Sequence, residues 1–302
     1  MELSLWALAL LTCKLSIYLG FVAVVGGVTT LLVFGSSAKM LGCSLDRYLW
    51  LSTGLALLST ILAFFVQVGA LADSGFSGMW HPLFRTILWN SAVGESTLWR
   101  GLGFALMLVV LATLRTSREV MEAGWLRIPM FTLWIIALYP LVFSFSLIGH
   151  VAELNLWAQL ALSLHVLTIA WWMGALWPLW LICKKLDQKS LYRIMHQFGQ
   201  MARYVVALLI GSGVFLVIQL LDSISALWVT EYGRILLIKL VGVSAILLLA
   251  FYHKMHLVPA ILFQPKNSIR LARSIQVELV LGSLILLTTA VLTTLVGPTH
   301  AP

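Results

Sequence analysis

The sequence predicts an all-α membrane protein, a polytopic bundle of about eight transmembrane helices with both termini on the periplasmic side. Three observations carry that expectation. Of 302 residues 61% are apolar, only 10% are charged, and the mean hydropathy is +1.01. A globular domain carries about 25% charged residues, so most of this chain's outer surface faces lipid. The apolar residues also fall into runs of the roughly 20 residues that a helix needs to cross a bilayer. None of the runs alternates with a period of two, which argues against a barrel. Finally, the Lys and Arg residues are segregated between alternate gaps.

The runs are 5–34, 48–72, 98–114, 128–148, 156–182, 204–221, 235–252 and 275–296. The third is short and carries Arg100; it extends back through 87–89 if Glu95 lies near the outer surface. The odd gaps hold Lys39 and Arg47, then Arg115, Arg118 and Arg127. They continue with Lys184, Lys185, Lys189, Arg193 and Arg203, then Lys254, Lys266, Arg270 and Arg273. That is fourteen of the nineteen basic residues, whereas the even gaps hold only Arg85, with Arg100 and Arg234 just inside span ends. Positive residues mark the cytoplasm, so the odd gaps are inside and both termini outside. Thirteen Trp residues suit interface anchoring. The start, Met1-Glu2-Leu3-Ser4, lacks the positive region of a cleavable signal, so the first run is expected to be retained as a span. No linker, repeat or low-complexity stretch interrupts the chain, and residues 1–302 are expected to form one membrane domain.

Several function classes drop out. The net charge of +8 sits in membrane-flanking gaps rather than on a nucleic-acid-binding surface, so no nucleic acid partner is expected and the bilayer is. Cys13, Cys43 and Cys183 have no paired spacing, which excludes a disulfide framework or a Cys-rich zinc site. No GxxxxGK[ST] motif is present to support ATP-driven pumping, and no enzyme is expected.

Polar groups in or near the bilayer are costly and are therefore candidates for function. His150 closes the fourth span at its outer end. His165 lies about nine residues into the fifth, about 14 Å below that span's outer end. The short connection makes these spans antiparallel neighbours, which places both imidazoles in one outer vestibule. Neutral imidazole ligates copper, zinc and iron; it also fixes helix packing by bonding backbone carbonyls, and the residues alone leave both readings open. Further outer donors are Met79 and His81 in the long connection 73–97, Glu153, and His300 in the tail. Cys13 and Met173, the latter about two turns deeper than His165, add sulfur. Imidazole with carboxylate suits Cu(II), while Met and Cys sulfur suit Cu(I). His253-Lys254-Met255-His256 ends the seventh span as a basic collar or as a receiver for a soft metal ion. Lys14, Arg100, Lys239 and Glu278 lie within spans; Glu95, Asp222 and Glu231 are candidate partners for the cations on the outer side. Lys239 and Glu278 sit at opposite depths and do not suit each other.

Four motifs in order then resemble the copper resistance D (CopD) family of bacterial inner-membrane proteins. Ser146-x-x-Gly149-His150 is followed by Leu164-His165-Val166-Leu167 and by Ala170-Trp171-Trp172-Met173-Gly174-Ala175-Leu176. Further on, Thr230-Glu231-Tyr232-Gly233-Arg234-Ile235-Leu236-Leu237-Ile238-Lys239 is similar to the family's T-x-Y-G-R-x-L-L-x-K stretch. The last span, from Arg273 to Pro298, resembles the family ending. The resemblance covers residues 145–298. It departs at His253-Lys254-Met255-His256, where many relatives carry an Asn-Arg pair. It implies copper handling on the periplasmic side of the inner membrane, with movement toward the cytoplasm, beside a separate periplasmic copper-binding protein of the CopC type. The expected metal ligands are His150 and His165, with Glu153, His81 and Met79. Two rival expectations are a b-type membrane cytochrome, which needs imidazoles at matched depth, and a non-transporting copper-delivery protein.

Overall fold

The computed structural model describes residues 4–34, 42–116, 127–221, 223–264 and 266–295. His300, Asp222, Lys39, Arg118 and both chain ends lie outside the described residues, as do the side chains of His150 and Arg127. The described residues form helices and contain no strand.

Eight helices are long and apolar enough to cross a membrane. They are α1 (Leu5–Val33) and α2 (Cys43–Ala72), then, after a short helix α3 (Pro82–Trp89), α4 (Ala92–Thr116) and α5 (Ile128–Ser146). The second half adds α6 (Leu156–Lys185), α7 (Gln188–Leu220), α8 (Glu231–Ala260) and α9 (Lys266–Thr294). Local chemistry explains several starts. Ser4, Asn155 and Thr230 each offer a side-chain oxygen to the backbone N–H of Ala7, Ala158 and Gly233, satisfying donors that a first turn leaves unpaired. Asp187 does the same for Lys189 and Ser190. The bonds from Ser190, then that from Lys189, hold its carboxyl below the ordinary range. Only Leu186 and Asp187 separate α6 from α7, so the basic segment 184–203 is nearly all helix.

Hydropathy thus located the spans but not the helix ends. The run 204–221 is the lipid-length part of a helix that begins at Gln188, and the third span begins at Ala92. Ahead of it, Pro82 opens α3, with its missing N–H where no partner is needed.

The first half packs α1 on α2, α2 on α4 and α4 on α5; the second packs α6 on α7 and α9, and α8 on α9. The centre is α6, whose most apolar window is 67% buried against 11% for α8 and 17% for α7. It meets α1 where that helix loosens into the π-helical segment Ala23–Gly27. There Gly26 and Gly174 bring two backbones into contact, and a Cβ on Gly174 would collide with the Val22 carbonyl oxygen. Small residues are how lipid-embedded helices approach closely, because packing rather than water exclusion drives their association.

In the second half, Trp172 of α6, Leu209 of α7, Ile246 of α8 and Ile285 of α9 form one buried apolar cluster. This layer lies across the middle of a four-helix unit. The positively charged turns around Lys184, Lys185, Lys189 and Lys254 define a basic face of the bundle; Leu156 and Glu231 start their helices from the opposite face.

Candidate functional site

His165 sits on α6 two turns from Trp172, toward the face opposite the basic one. Its Nδ1 is 3.3 Å from Ser212 Oγ on α7. Ser212 has one hydrogen to give, and its shortest contact is 2.7 Å to the Leu208 carbonyl. With that hydrogen committed, Ser212 Oγ is an acceptor for the ring, and the Leu209 carbonyl on the same turn of α7 is a second one. Metal-bound histidines are commonly held in this way, with one nitrogen fixed by a partner while the other ligates. Gly213 makes room for the ring, since a Cβ there would lie 3.1 Å from His165 Cε1. The half-buried ammonium of Lys239 on α8 acts electrostatically on the imidazole.

The connection carrying His150 and Glu153 is built by a glycine. Gly149 has φ +89°, a region that only glycine enters freely, and it starts the 3₁₀ turn His150–Glu153. Gln159 Nε2 on α6 donates to the Ala152 and Leu154 carbonyls at 3.1 and 3.3 Å and ties this turn to the helix that bears His165. The Glu153 carboxylate is exposed.

Met79 and His81 stand elsewhere. Met79 is buried against Gly69 of α2, beside Trp6. His81 precedes α3, its ring 4.9 Å from Phe84 and its Nδ1 buried without a hydrogen-bond partner. Both belong to the first half of the bundle, while His165 and Glu153 belong to the second. Among the described residues no three His, Cys, Asp or Glu side chains gather into a metal-binding group. A cavity of about 670 Å³ between α2, α3 and α4 is lined by Leu57, Phe64, Trp89 and Arg85, groups that offer apolar contact and a cation rather than ligands. The three cysteines are free thiols.

Two arrangements escaped sequence reasoning. Arg100 is buried on α4 and donates to Ser144 of α5 at 3.3 and 3.5 Å, with Phe145 under its guanidinium, rather than pairing with Glu95. Glu278 has a partner in His253, with Nδ1 to Oε1 at 3.4 Å, and His253 Nε2 meets Ser274 Oγ at 2.6 Å. His253 opens the π-helical segment His253–Leu257, whose surplus residue turns it inward while Lys254, Met255 and His256 stay exposed. The collar therefore divides, with one histidine inside and one outside.

These features define a multi-pass helical membrane protein with a half-buried histidine held between α6 and α7 in its second half. Residues 192–292, about a third of the chain, match the family described as Copper resistance protein D. The chain thus carries a copper resistance D region, in agreement with the resemblance of its motifs, and the match takes in Ser212, His253 and Glu278. Copper transport protein CutJ of Bacillus subtilis (strain 168) is 26% identical over 253 residues, which is 81% of this chain and 44% of that protein. The chain therefore spans less than half the length of this curated relative. No solved structure matches it.

Proposed function

We propose that this chain is a permease of the bacterial inner membrane that takes copper from the periplasm toward the cytoplasm, in copper homeostasis and resistance. Copper is its cargo, captured at His165 and His150 with Glu153 assisting at the mouth, while His81 and Met79 stand apart in the first half of the bundle. The observation that carries the reading is His165 on the central helix, half-buried in the bundle with its Nδ1 engaged by Ser212 of α7. The copper resistance D region and the relative named as a copper transport protein support copper as the ion. The layout of the second half supports passage. His165 lies two turns to one side of the Trp172–Leu209–Ile246–Ile285 layer, and His253 and Glu278 lie two turns to the other, each about 10 Å from it. Polar stations on both sides of a dry layer suit an ion that is bound, then released across a moving barrier. A separate CopC-type protein would hand copper to the outer station.

Copper uptake by proteoliposomes tests this directly, with empty liposomes as the control. The protein should raise uptake, and His165→Ala should bring it to the control level. Uptake equal to that of empty liposomes for the wild type, with copper still bound, would favour a delivery role instead.

A further inference from the structure

Arg85 is the one Lys or Arg in the connection 73–91, on the face of the bundle opposite the basic one, where the charge bias of this chain places few cations. Among the described residues its guanidinium has no hydrogen-bond or ion-pair partner, although Asp73 and Glu95 flank the same stretch of sequence. It lines the cavity of about 670 Å³ between α2, α3 and α4. Phe84 and Leu88 pin α3 to Phe64 and Val68 of α2, whereas Arg85 and Trp89, one turn apart, both face the cavity. Further into the bundle its walls are apolar: Leu57, Ile61 and Phe65 of α2, with Leu98 and Leu102 of α4. Ile61, Leu98 and Leu102 are each about half exposed, so the cavity is a groove open at the sides of α2 and α4, where the surface meets hydrocarbon. Gly101 widens it, since a Cβ there would meet nothing within 4 Å. From Phe65 to Leu57 the α2 wall runs about 12 Å along the helix axis. A void of this kind forfeits the contacts of every atom that lines it, and in a bilayer hydrocarbon fills it. The groove thus has an unpaired cation at its outer end and a dry slot leading inward.

We propose that this groove binds an anionic phospholipid, with its phosphate on the Arg85 guanidinium and one acyl chain along α2 from Phe65 to Leu57. The bilayer itself supplies the occupant. A lipid in the leaflet on that face carries its phosphate just outside the level where its chains begin, as Arg85 stands just outside the apolar slot. The planar guanidinium takes two phosphate oxygens at once. An anionic lipid is favoured over a zwitterionic one, whose own ammonium already balances its phosphate and leaves Arg85 uncompensated. Trp89 beside it is an indole of the kind that sits at headgroup level. The lipid bridges α3 and α4 across the groove and braces the connection that carries Met79 and His81. The site is separate from His165 and does not rest on copper.

Native mass spectrometry of the full chain tests the site, with phosphatidylglycerol or phosphatidylcholine of identical acyl chains added to the micelles as probes. Wild type should retain one phosphatidylglycerol, held at least about tenfold more tightly than phosphatidylcholine, the scale of one charge-assisted contact. Arg85→Gln should erase that preference while still admitting a chain. Gly101→Leu should fill the slot and lower retention of both lipids at least about tenfold. Arg85 is exposed and the space beside Gly101 is open, so both variants should remain folded and monodisperse. Equal retention of the two lipids by wild type, or an unchanged preference in Arg85→Gln, overturns the phosphate contact and the proposal with it. Undiminished retention in Gly101→Leu puts the lipid elsewhere on the bundle and overturns it as well. Displacement of the phospholipid by an equal concentration of oleate would make the occupant a free fatty acid, which also overturns it.

Discussion

His165 is held in place across two helices by the contact of its Nδ1 with Ser212. Loss of an imidazole removes a bond outright, whereas loss of the serine frees the ring to turn. His150→Ala and His165→Ala should each cut copper binding by at least about tenfold, and Ser212→Ala by a similar or smaller factor, in the range seen when partners of ligands are removed. Isothermal titration on monodisperse protein measures all three. His196 is exposed and stacks on Tyr192, so His196→Ala should leave affinity unchanged. Wild-type copper content in both outer variants would reduce these histidines to packing residues. His165 was conspicuous in the sequence as an imidazole within an apolar run. Ser212 was not, because a serine between two glycines in such a run looks like a small helix-packing residue.

At the scale of elements, α6 is positioned by contacts that have no tolerance for bulk. Gly174→Leu places a branched side chain against the α1 backbone and should cost at least about 2 kcal/mol through overpacking. The loss is measured as a lower unfolding midpoint and a lower yield of monodisperse protein; an unchanged midpoint would mean that α1 can move aside. Gly149→Ala tests a different demand, for a positive φ rather than for space, and should weaken copper binding more than it weakens the bundle. The spans themselves were readable, since hydropathy reports what lies in lipid. Their ends were not, because a capped helix such as α7 continues past the membrane on polar residues. The partner of Glu278 was missed for a related reason: His253 sits among residues that read as a solvated collar, and only the π-helical turn aims it inward.

For the whole molecule, the distribution of charge gives the sharpest expectation. With fourteen basic residues in alternate gaps, the face bearing Lys184, Lys185 and Lys189 should be cytoplasmic. A reporter active only in the periplasm should work when fused after Pro302 and be silent after Ser190. Reversed activity would invert the bundle, and activity at both sites would change the span count. The outcome also decides which polar station meets which compartment: with the basic face inside, His165 would lie toward the periplasm and the His253–Glu278 pair toward the cytoplasm.

The π-helical segment Ala23–Gly27 gives α1 an extra residue within otherwise α-helical winding. Deleting one residue from an ordinary span swings all that precedes it by about 100°. Deleted within this segment, the same residue would leave an unbroken and more regular helix. The penalty would then be one of azimuth: the flat patch at Gly26 and the face from Leu5 to Val22 could no longer point at their partners together. Single-residue indels in α1 should therefore be least disruptive to its winding at this point, and α6, through Gly174, decides which phase of the helix survives.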